Sequence, residues 1–305
     1  MEGGRASTTA LVVAYRRAHH FANGAPWVFA DPLAGAVIGA DRERVEDVLV
    51  ANAASFFPDR VPAGAAREVA IAHALLVSYG SGLVLGRARY TEDRLGDLMQ
   101  RSDVSQYVIV GAGLDTFALR RPELRDRLQV FELDHPTTQT DKRRRLDDAG
   151  LALPPNLHFG AADLERERVA AILTRLPYDP TRPALFAWLG VTMYLTHTAI
   201  METLRSVRSV AAHGSELVFD YVDAAGLVPE AQSPGLRMTL ELTRSQGEPI
   251  IFGFEPARLP AELESAGFEL VEDLGPAEQN ARYFASRADG LRVSEFLHVA
   301  CARVR

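Results

Sequence analysis

The chain has 305 residues, of which 47% are hydrophobic, and a formal net charge of −7. This length allows a large buried core and lies near the upper limit for one domain, so we expect residues 1–305 to form a single elaborated domain. The acidic balance and the scattered basic residues argue against a nucleic-acid partner, which requires a concentrated basic face.

The N-terminal stretch has no recognisable targeting segment. Its apolar run, Ala10 to Tyr15, is shorter than a signal-peptide core, and no apolar run reaches the roughly 18 residues of a membrane span. Cys301 is the single cysteine, which excludes an intrachain disulfide and a cysteine-rich metal site. We therefore expect a cytoplasmic protein with no metal and no membrane partner.

Residues 1 to about 105 are predicted to be mostly helical, because apolar residues recur at intervals of three and four in Arg67–Gly80 and Thr91–Arg101. This region is expected to form a helical cap on the core, residues 106–305. In the core, short apolar runs alternate with helical stretches, the pattern of parallel βαβ crossovers. Seven strands are predicted, the last two forming a pair with one antiparallel strand at the edge: Tyr107–Val110, Gln129–Asp134, Leu157–Phe159, Ala184–Leu189, Glu216–Tyr221, Phe268–Glu272 and Glu295–Ala302. The predicted fold class is α/β, with a mainly parallel, Rossmann-like sheet.

Two further stretches of the core are predicted from composition. Residues 223–254, rich in Gly, Pro and Gln with one helical piece at Leu236–Ser245, form an insertion after the fifth strand. Such an insertion lies over the carboxyl ends of the strands, where open α/β sheets bind ligands, so we expect a lid. The basic run Lys142–Arg145, on the helix after the second strand, is expected to be a solvated helix face.

A glycine turn follows the first strand. In VIVGAGLDTFALR, Val108–Arg120, Gly111 and Gly113 allow a tight turn and a close approach of the backbone to a ligand. The second strand ends in Asp134, 23 positions after Gly111, near the spacing of about 20 at which Rossmann-type folds place a carboxylate on a ribose hydroxyl. The predicted ligand therefore contains a ribose.

The remainder of this pattern restricts which ribose-containing ligands can bind. Thr116 occupies the third glycine position of the dinucleotide fingerprint, which disfavours a nicotinamide dinucleotide, and no Gly-Lys-Ser or Gly-Lys-Thr occurs to cradle phosphates. A nucleoside without phosphates remains, and S-adenosylmethionine is the common one.

These motifs together resemble the leucine carboxyl methyltransferase family and its bacterial relatives. The resemblance rests on Val108–Arg120, FELDHP, Asp163-Leu164 and AWLGVTMYLT, and it extends over nearly the whole chain through TALVVAYRRA, ADPLAG and GEPIIFGF. It implies a class I methyltransferase fold and an S-adenosylmethionine-dependent O-methyltransferase. Many of these relatives belong to natural-product biosynthesis.

The parts of S-adenosylmethionine each require a different partner. The backbone of Gly111, Ala112 and Gly113 is expected beside the methionine part, and Asp134 is expected to accept the ribose hydroxyls. Glu132 is the alternative ribose acid, but strand alternation directs it to the other face.

Three more donor contacts are expected beyond the second strand and in the cap. Asp163 is placed to accept the adenine amine, with Leu164 packing beside the ring. The resemblance assigns the donor carboxylate to Arg87, in GRARYTED, with Arg89 as the alternative. Leu189 occupies the position at which the family usually carries a glutamate near the donor.

The acceptor side is expected to use the N-terminal helix, which this family folds over the active site. Arg16 could clamp an acceptor carboxylate, whereas His20, or its neighbour His19, could take a phenolic proton. Tyr194 is placed to line the acceptor pocket. Arg282 and Tyr283, near the C-terminus, are further candidates for the same cavity.

The sequence thus predicts an O-methyltransferase that acts on a carboxylate, or a hydroxyl, of a small molecule, a natural product or a peptide C-terminus. Leu189 motivates an alternative, an S-adenosylmethionine-binding protein that has lost methyl transfer and serves as a binding module or catalyses another rearrangement. A nicotinamide oxidoreductase is a third alternative, which Thr116 disfavours. A monomer and a homodimer both stay open.

Overall fold

The computed structural model describes residues 8–61, 64–164 and 166–305, so residues 1–7 and 62–63 of the predicted cap lie outside the description. Twelve α-helices, α1 to α12, are described: Thr8–Asn23, Ala34–Ile38, Arg42–Phe56, Arg67–Val77, Ser81–Arg101, Phe117–Arg120, Pro136–Asp148, Val169–Leu173, His197–Val210, Pro234–Ser245, Leu259–Ser265 and Pro276–Gln279. Seven strands, β1 to β7, are described: Gln106–Val110, Gln129–Asp134, Leu157–Ala161, Ala184–Trp188, Glu216–Val222, Phe268–Leu274 and Leu297–Val304. The predicted strands are confirmed to within a few residues at their ends.

The seven strands form one sheet in the order β3-β2-β1-β4-β5-β7-β6. Strands β1 to β5 pair in parallel, and β7 pairs antiparallel with both β5 and β6. The prediction that the antiparallel strand lies at the edge is wrong, because β7 inserts between β5 and β6 and leaves β6 at the edge. The last strand along the chain is therefore an interior strand of the sheet.

Strand alternation divides the core between the two faces of the sheet. One face buries Val108, Phe131, Phe186 and other side chains against α8, α9 and α11. The opposite face buries Ile109, Val130 and their neighbours against α5 and α6. Strands that are apolar on both faces are typical of a parallel sheet covered by helices on both sides.

The cap is helical where it is described, with α1 to α4 packed around their own apolar cluster. Its connection to the sheet is polar. Asp31, whose side chain is fully buried, pairs with Arg17 of α1 at 2.9 Å and accepts the hydroxyl of Thr116 at 2.8 Å. Arg17 also donates to the carbonyl of Leu114 at 2.7 Å. The cap is thereby attached directly to the chain that follows β1.

The predicted lid insertion is closed at its base. Asp223 and Phe254 form an isolated parallel bridge, and the amide of Ala224 donates to the carbonyl of Phe254 at 2.9 Å. Between these ends lie two short 3₁₀ turns and α10, which contacts α3 of the cap. The insertion is a defined loop with its own helix over the carboxyl ends of the strands.

The basic run on α7 is not a solvated face throughout, which corrects the prediction for Lys142–Arg145. Lys142 is 1% exposed and forms an ion pair with the equally buried Glu132 of β2. Arg145 is also buried, between Asp141 at 2.7 Å and the carbonyl of Ile38 at 2.9 Å. Arg143 and Arg144 are exposed. The run therefore joins α7 to the sheet and to the cap.

Within the described ranges, no single helix is both long enough and apolar enough to cross a membrane. The helices α4 and α5, bent by 70° at the break between them, reach that length and composition only when taken together.

We predict that Lys142→Met destabilises the fold by about 3–5 kcal/mol, because Glu132 then lies buried without a compensating charge. Burial already raises the pKa of Glu132 to about 7, against the opposing effect of Lys142. Unfolding in denaturant measures the change, and the double variant Glu132→Gln/Lys142→Met is expected to recover most of it. The control, Arg143→Met on the exposed part of the same run, should cost less than about 1 kcal/mol. Equal losses for Lys142→Met and Arg143→Met would contradict this interpretation.

Candidate active site

A cavity of about 380 Å³ lies at the carboxyl ends of β1, β2 and β4. Most of its wall comes from five parts of the chain: the glycine loop after β1, the turn after β4, helix α1, helix α5 and the lid insertion. Eight of the predicted site residues line it: Arg16, Arg87, Gly111, Ala112, Gly113, Asp134, Leu189 and Tyr194. The position agrees with the general placement of ligand sites in open α/β sheets.

The glycine loop is pinned to the neighbouring strand. The amides of Gly111 and Ala112 both donate to the carbonyl of Leu133, at 2.8 and 3.2 Å. Gly111 has a φ of +76°, and a Cβ there would lie 2.8 Å from the side chain of Val191. A larger residue would therefore be strained and would meet the turn after β4, so glycine keeps this wall of the cavity open.

Asp134 ends β2 at the floor of the cavity. Its Oδ2 accepts the amide of Gly113 at 2.5 Å, and its Oδ1 accepts the amide of His135 at 2.6 Å. Burial raises the pKa of Asp134, although both amides stabilise its charged form. Each carboxylate oxygen has a second lone pair, so the group can accept ribose hydroxyls while it holds the glycine loop. The residues present thus fit the ribose end of an adenosyl ligand.

Arg87 is held by an acid that the sequence analysis did not identify. Its Nη1 lies 2.6 Å from Oδ2 of Asp220 on β5, and both side chains are buried. The second oxygen of Asp220 accepts the amide of Gly190 at 2.6 Å. Gly190 has a φ of +72°, and a Cβ there would lie 2.8 Å from the guanidinium of Arg87. The turn after β4, α5 and β5 therefore fix one cation in the cavity wall.

Leu189 lies in this same wall, partly buried beside the apolar cluster that contains Ile109 and Ala112. The position at which the family usually has a glutamate is thus an apolar contact here. Asp220 provides a buried carboxylate one strand away.

Arg16 and Tyr194 face the cavity from opposite elements, α1 and the short turn after β4. Nη2 of Arg16 donates to the neutral hydroxyl of Ser78 at 2.5 Å, while its Nε has no hydrogen-bond partner among the described residues. Burial, together with the charge of Arg87, lowers the pKa of Arg16 to about 10. Burial, with the nearby carboxylate of Glu248, raises the pKa of Tyr194 to about 12.

Three predicted site residues are not among the described residues that line the cavity: His20, Asp163 and Leu164. Asp163 lies near the end of β2, because the amide of the preceding residue, Ala162, donates to the carbonyl of Asp134 at 2.9 Å. The side chain of Asp163 pairs with Arg166 at 3.3 Å. Leu164 packs against the core on one face of the sheet. Their adenine contacts stay predictions.

His20 has a structural role in this fold. Its buried ring accepts the amide of Val28 at Nε2, at 3.0 Å, which fixes the turn after α1. Burial, followed by the charge of Arg287, lowers the pKa of His20 to about 4. The proposal that His20 is a base for the acceptor is therefore not supported by its position. His19 is also absent from the described cavity lining.

The remaining alternatives lie elsewhere. Arg89 is half exposed and pairs with Asp93 at 2.7 Å, so it does not replace Arg87 in the cavity. Arg282 and Tyr283 line a different surface cavity, together with Arg89. Arg282 pairs there with Glu272 at 2.6 Å.

Sequence reasoning missed Asp220, Glu248 and Thr9. An acid inside the apolar run ELVFDYV was the available indication for Asp220, because a buried carboxylate requires a partner. Thr9 donates its hydroxyl to Oε2 of Glu248 at 2.5 Å, which joins α1 to the lid insertion at the cavity. That contact links residues 239 positions apart, and no local pattern indicates it.

The sheet order, the glycine loop after β1 and the acid after β2 define a class I methyltransferase fold. The model of the leucine carboxyl methyltransferase family matches residues 10–208, and the chain belongs to this family. It is an S-adenosylmethionine-dependent methyltransferase, and S-adenosylmethionine is its methyl donor.

Known proteins similar to this chain agree with that assignment. "Putative S-adenosyl-L-methionine-dependent methyltransferase YktD" of Bacillus subtilis is 31% identical over 307 residues, with 98% of each chain covered. A methyltransferase of Mycolicibacterium vanbaalenii with the same description is 34% identical over 146 residues, 47% of each chain. Among solved structures, a DUF574-family protein from Streptomyces avermitilis matches with a TM-score of 0.59 and 16% identity over 98% of each chain. At that identity the structural match supports the fold alone.

We predict that protonation of His20 destabilises the fold at mildly acidic pH. The pKa of His20 in the folded chain, about 4, lies below its unfolded value of about 6.5, so the stability it contributes is present above pH 6.5 and is lost as the pH falls toward 4. The expected loss is about 2–3 kcal/mol. Denaturant unfolding between pH 7.5 and 4.5 should show the full loss in the wild type and in His213→Gln, an exposed control, and a loss smaller by this amount in His20→Gln. A remainder is expected in His20→Gln because burial also lowers the pKa of His19 and of His158. A loss of the same size in His20→Gln and the wild type would contradict the assignment.

Proposed function

We propose that this methyltransferase transfers the methyl group to an oxygen of a carboxylate, on a small molecule or a peptide terminus. The observation that carries the proposal is the guanidinium of Arg16, which faces the cavity and, among the described residues, has no partner at Nε and a hydrogen bond only to the neutral hydroxyl of Ser78. A half-buried cation in that state favours an anionic ligand, and guanidinium groups bind carboxylates with charge-assisted hydrogen bonds.

No histidine is among the described residues that line the cavity, which favours a carboxylate over a hydroxyl acceptor. Neither His19 nor His20 is among the described residues that line the cavity, and Tyr194, with a pKa of about 12, stays protonated at neutral pH. A phenol or alcohol must lose its proton during transfer, whereas a carboxylate is already ionised at pH 7 because its usual pKa is about 4. For a carboxylate acceptor, the site needs only to hold the acceptor oxygen in position and to exclude water.

Positioning is therefore the main task of the residues in this cavity. The donor supplies a methyl group on a sulfonium sulfur, and we assign its ribose to Asp134, its methionine part to the glycine loop and its carboxylate to Arg87. Arg16 and Tyr194 orient the acceptor oxygen, while α1 and the lid insertion keep water out. Correct orientation of two reactants can supply about 7–11 kcal/mol of a barrier.

The direct test is release of S-adenosylhomocysteine from S-adenosylmethionine in the presence of matched carboxylic acids and phenols. We expect turnover with acids, at a rate that is flat between pH 7 and 9 because the acceptor stays ionised. Turnover with phenols alone, or donor binding without any turnover, would contradict the proposal.

Asp134→Asn should weaken donor binding by about 1–3 kcal/mol, measured by isothermal titration with S-adenosylhomocysteine.

The role of Arg16 can be separated from donor binding. Arg16→Gln should raise the KM for a carboxylic acid by about ten- to a hundredfold, the loss expected for a charged hydrogen bond of roughly 1.5–3 kcal/mol, with little change in the Kd of S-adenosylhomocysteine. Arg89→Gln, which removes an exposed guanidinium outside the cavity, is the matched control and should change neither value. If Arg16→Gln weakens donor binding instead, Arg16 belongs to the donor.

A further inference from the structure

A second cavity, of about 520 Å³, shares Tyr79 with the active-site cavity. We call it the side cavity. Its walls come from the C-terminal ends of α3 and α4, the start of α10 and the segment before β7. None of the residues predicted from the sequence as site residues lines it.

Apolar side chains form much of the side cavity. They are Phe56, Phe57, Leu76, Val77 and Pro234. Leu76 is 45% exposed, and Phe56, Phe57 and Val77 beside it are partly exposed. Clusters of accessible apolar side chains mark binding surfaces, and this cluster lies next to the active-site cavity.

The two cavities are adjacent at two elements, with Tyr79 between them. Tyr79 lies in the wall of both, and α10 passes from one to the other, with Gly235 in the side cavity and Thr239, one turn later, in the active-site cavity. A Cβ on Gly235 would lie 3.6 Å from the carbonyl of Val77 and 4.0 Å from the ring of Tyr79. The helix thus passes close to Tyr79 at a residue without a side chain. A longer side chain there would occupy the space beside the Tyr79 ring, between the two cavities.

Tyr79 lies between the two cavities. Its hydroxyl donates to the backbone carbonyl of Glu295, and its own carbonyl accepts the hydroxyl of Ser294 at 2.8 Å. The first of these bonds depends on the ring position, while the second is independent of it. Displacing the ring breaks the first hydrogen bond and disturbs its packing in the apolar cluster that contains Leu83 and Leu236.

The size of the active-site cavity makes an extension useful. Ligand pockets usually measure about 300–1,000 Å³, and the active-site cavity, at about 380 Å³, must hold the donor as well as the acceptor. Around its acceptor end the side chains of Leu83, Met193, Ile250 and Leu297 are apolar. An acceptor with a long apolar part fits only if that part leaves the cavity.

We propose that the side cavity binds the aliphatic tail of an elongated carboxylic acid, whose carboxylate lies at Arg16 and whose tail passes Tyr79. This substrate class rests on the proposed function for the carboxylate end. The tail site itself depends on the two cavities and on displacement of the Tyr79 ring between them.

The test is the chain-length dependence of binding, measured by isothermal titration with straight-chain saturated acids from hexanoate to tetradecanoate, below their micelle concentrations. Each titration is done with and without S-adenosylhomocysteine. Each methylene that becomes buried should tighten binding by about fourfold until the tail fills the side cavity. Because binding is measured rather than turnover, the result stands apart from whether these acids are methylated.

Matched variants locate the tail. Leu76→Gln should weaken tetradecanoate binding by about tenfold while hexanoate changes less than about twofold, since only the longer tail reaches the side cavity. Val69→Gln is the control, because Val69 is 46% exposed on the same helix and does not line the side cavity. Gly235→Leu, which fills the space beside the Tyr79 ring, should shorten the acid chain length that binds most tightly.

The outcomes separate the two proposals. Affinity that rises with chain length and falls for Leu76→Gln but not for Val69→Gln supports the tail site. A flat chain-length dependence, no binding of any acid, or equal effects of the two glutamine variants would overturn it. Failure to bind S-adenosylhomocysteine, or failure to methylate a bound acid, would count against the proposed function and leave the chain-length result unaffected.

Discussion

The buried carboxylate of Asp31 is the interaction on which the geometry of this site depends. An ionised group with no exposed surface is stable only when its hydrogen bonds and its charge are satisfied, and Asp31 meets this requirement with partners from two parts of the chain. It accepts the amide of Ala34 within the cap, pairs with Arg17 on α1, and accepts the hydroxyl of Thr116 beyond the glycine loop. A shift of the cap relative to that loop would break the hydrogen bond from Thr116 to Asp31 and the one from Arg17 to the carbonyl of Leu114, leaving buried polar groups unpaired.

This network gives Thr116 a structural explanation. The residue stands where a dinucleotide-binding fold would have its third glycine, and its hydroxyl is used to hold the cap. Arg120 reinforces the arrangement by donating to the same threonine oxygen at 2.8 Å. The departure from the dinucleotide fingerprint and the attachment of the helical cap are therefore one feature, because the side chain that replaces the third glycine is the one that donates to Asp31.

The fold and the donor end of the site could be predicted from local patterns. Alternation and β-branched runs indicate the strands, and the spacing between Gly111 and Asp134 indicates where their ends meet, because both are short-range properties of a βα unit. The exceptions are groups whose environment is set by distant partners. Lys142 is buried because it pairs with Glu132 across the helix–sheet interface. The role of Asp220 can be recognised only from the structure, which places Arg87 beside it. The sequence likewise does not show that His20 accepts the amide of Val28, and its role toward the acceptor stays a prediction that its position does not support.

The interior position of β7 has a consequence for how the chain reaches its native state. Strand β5 pairs with β7 along its whole length, and β6 has no strand neighbour in the sheet other than β7. Until residues 297–304 dock, β5 therefore presents an unpaired strand edge, and β6 has no partner strand in the described sheet. The folding chain is exposed to strand pairing with other chains during that interval, so docking of β7, rather than formation of the donor loop, closes the sheet against aggregation.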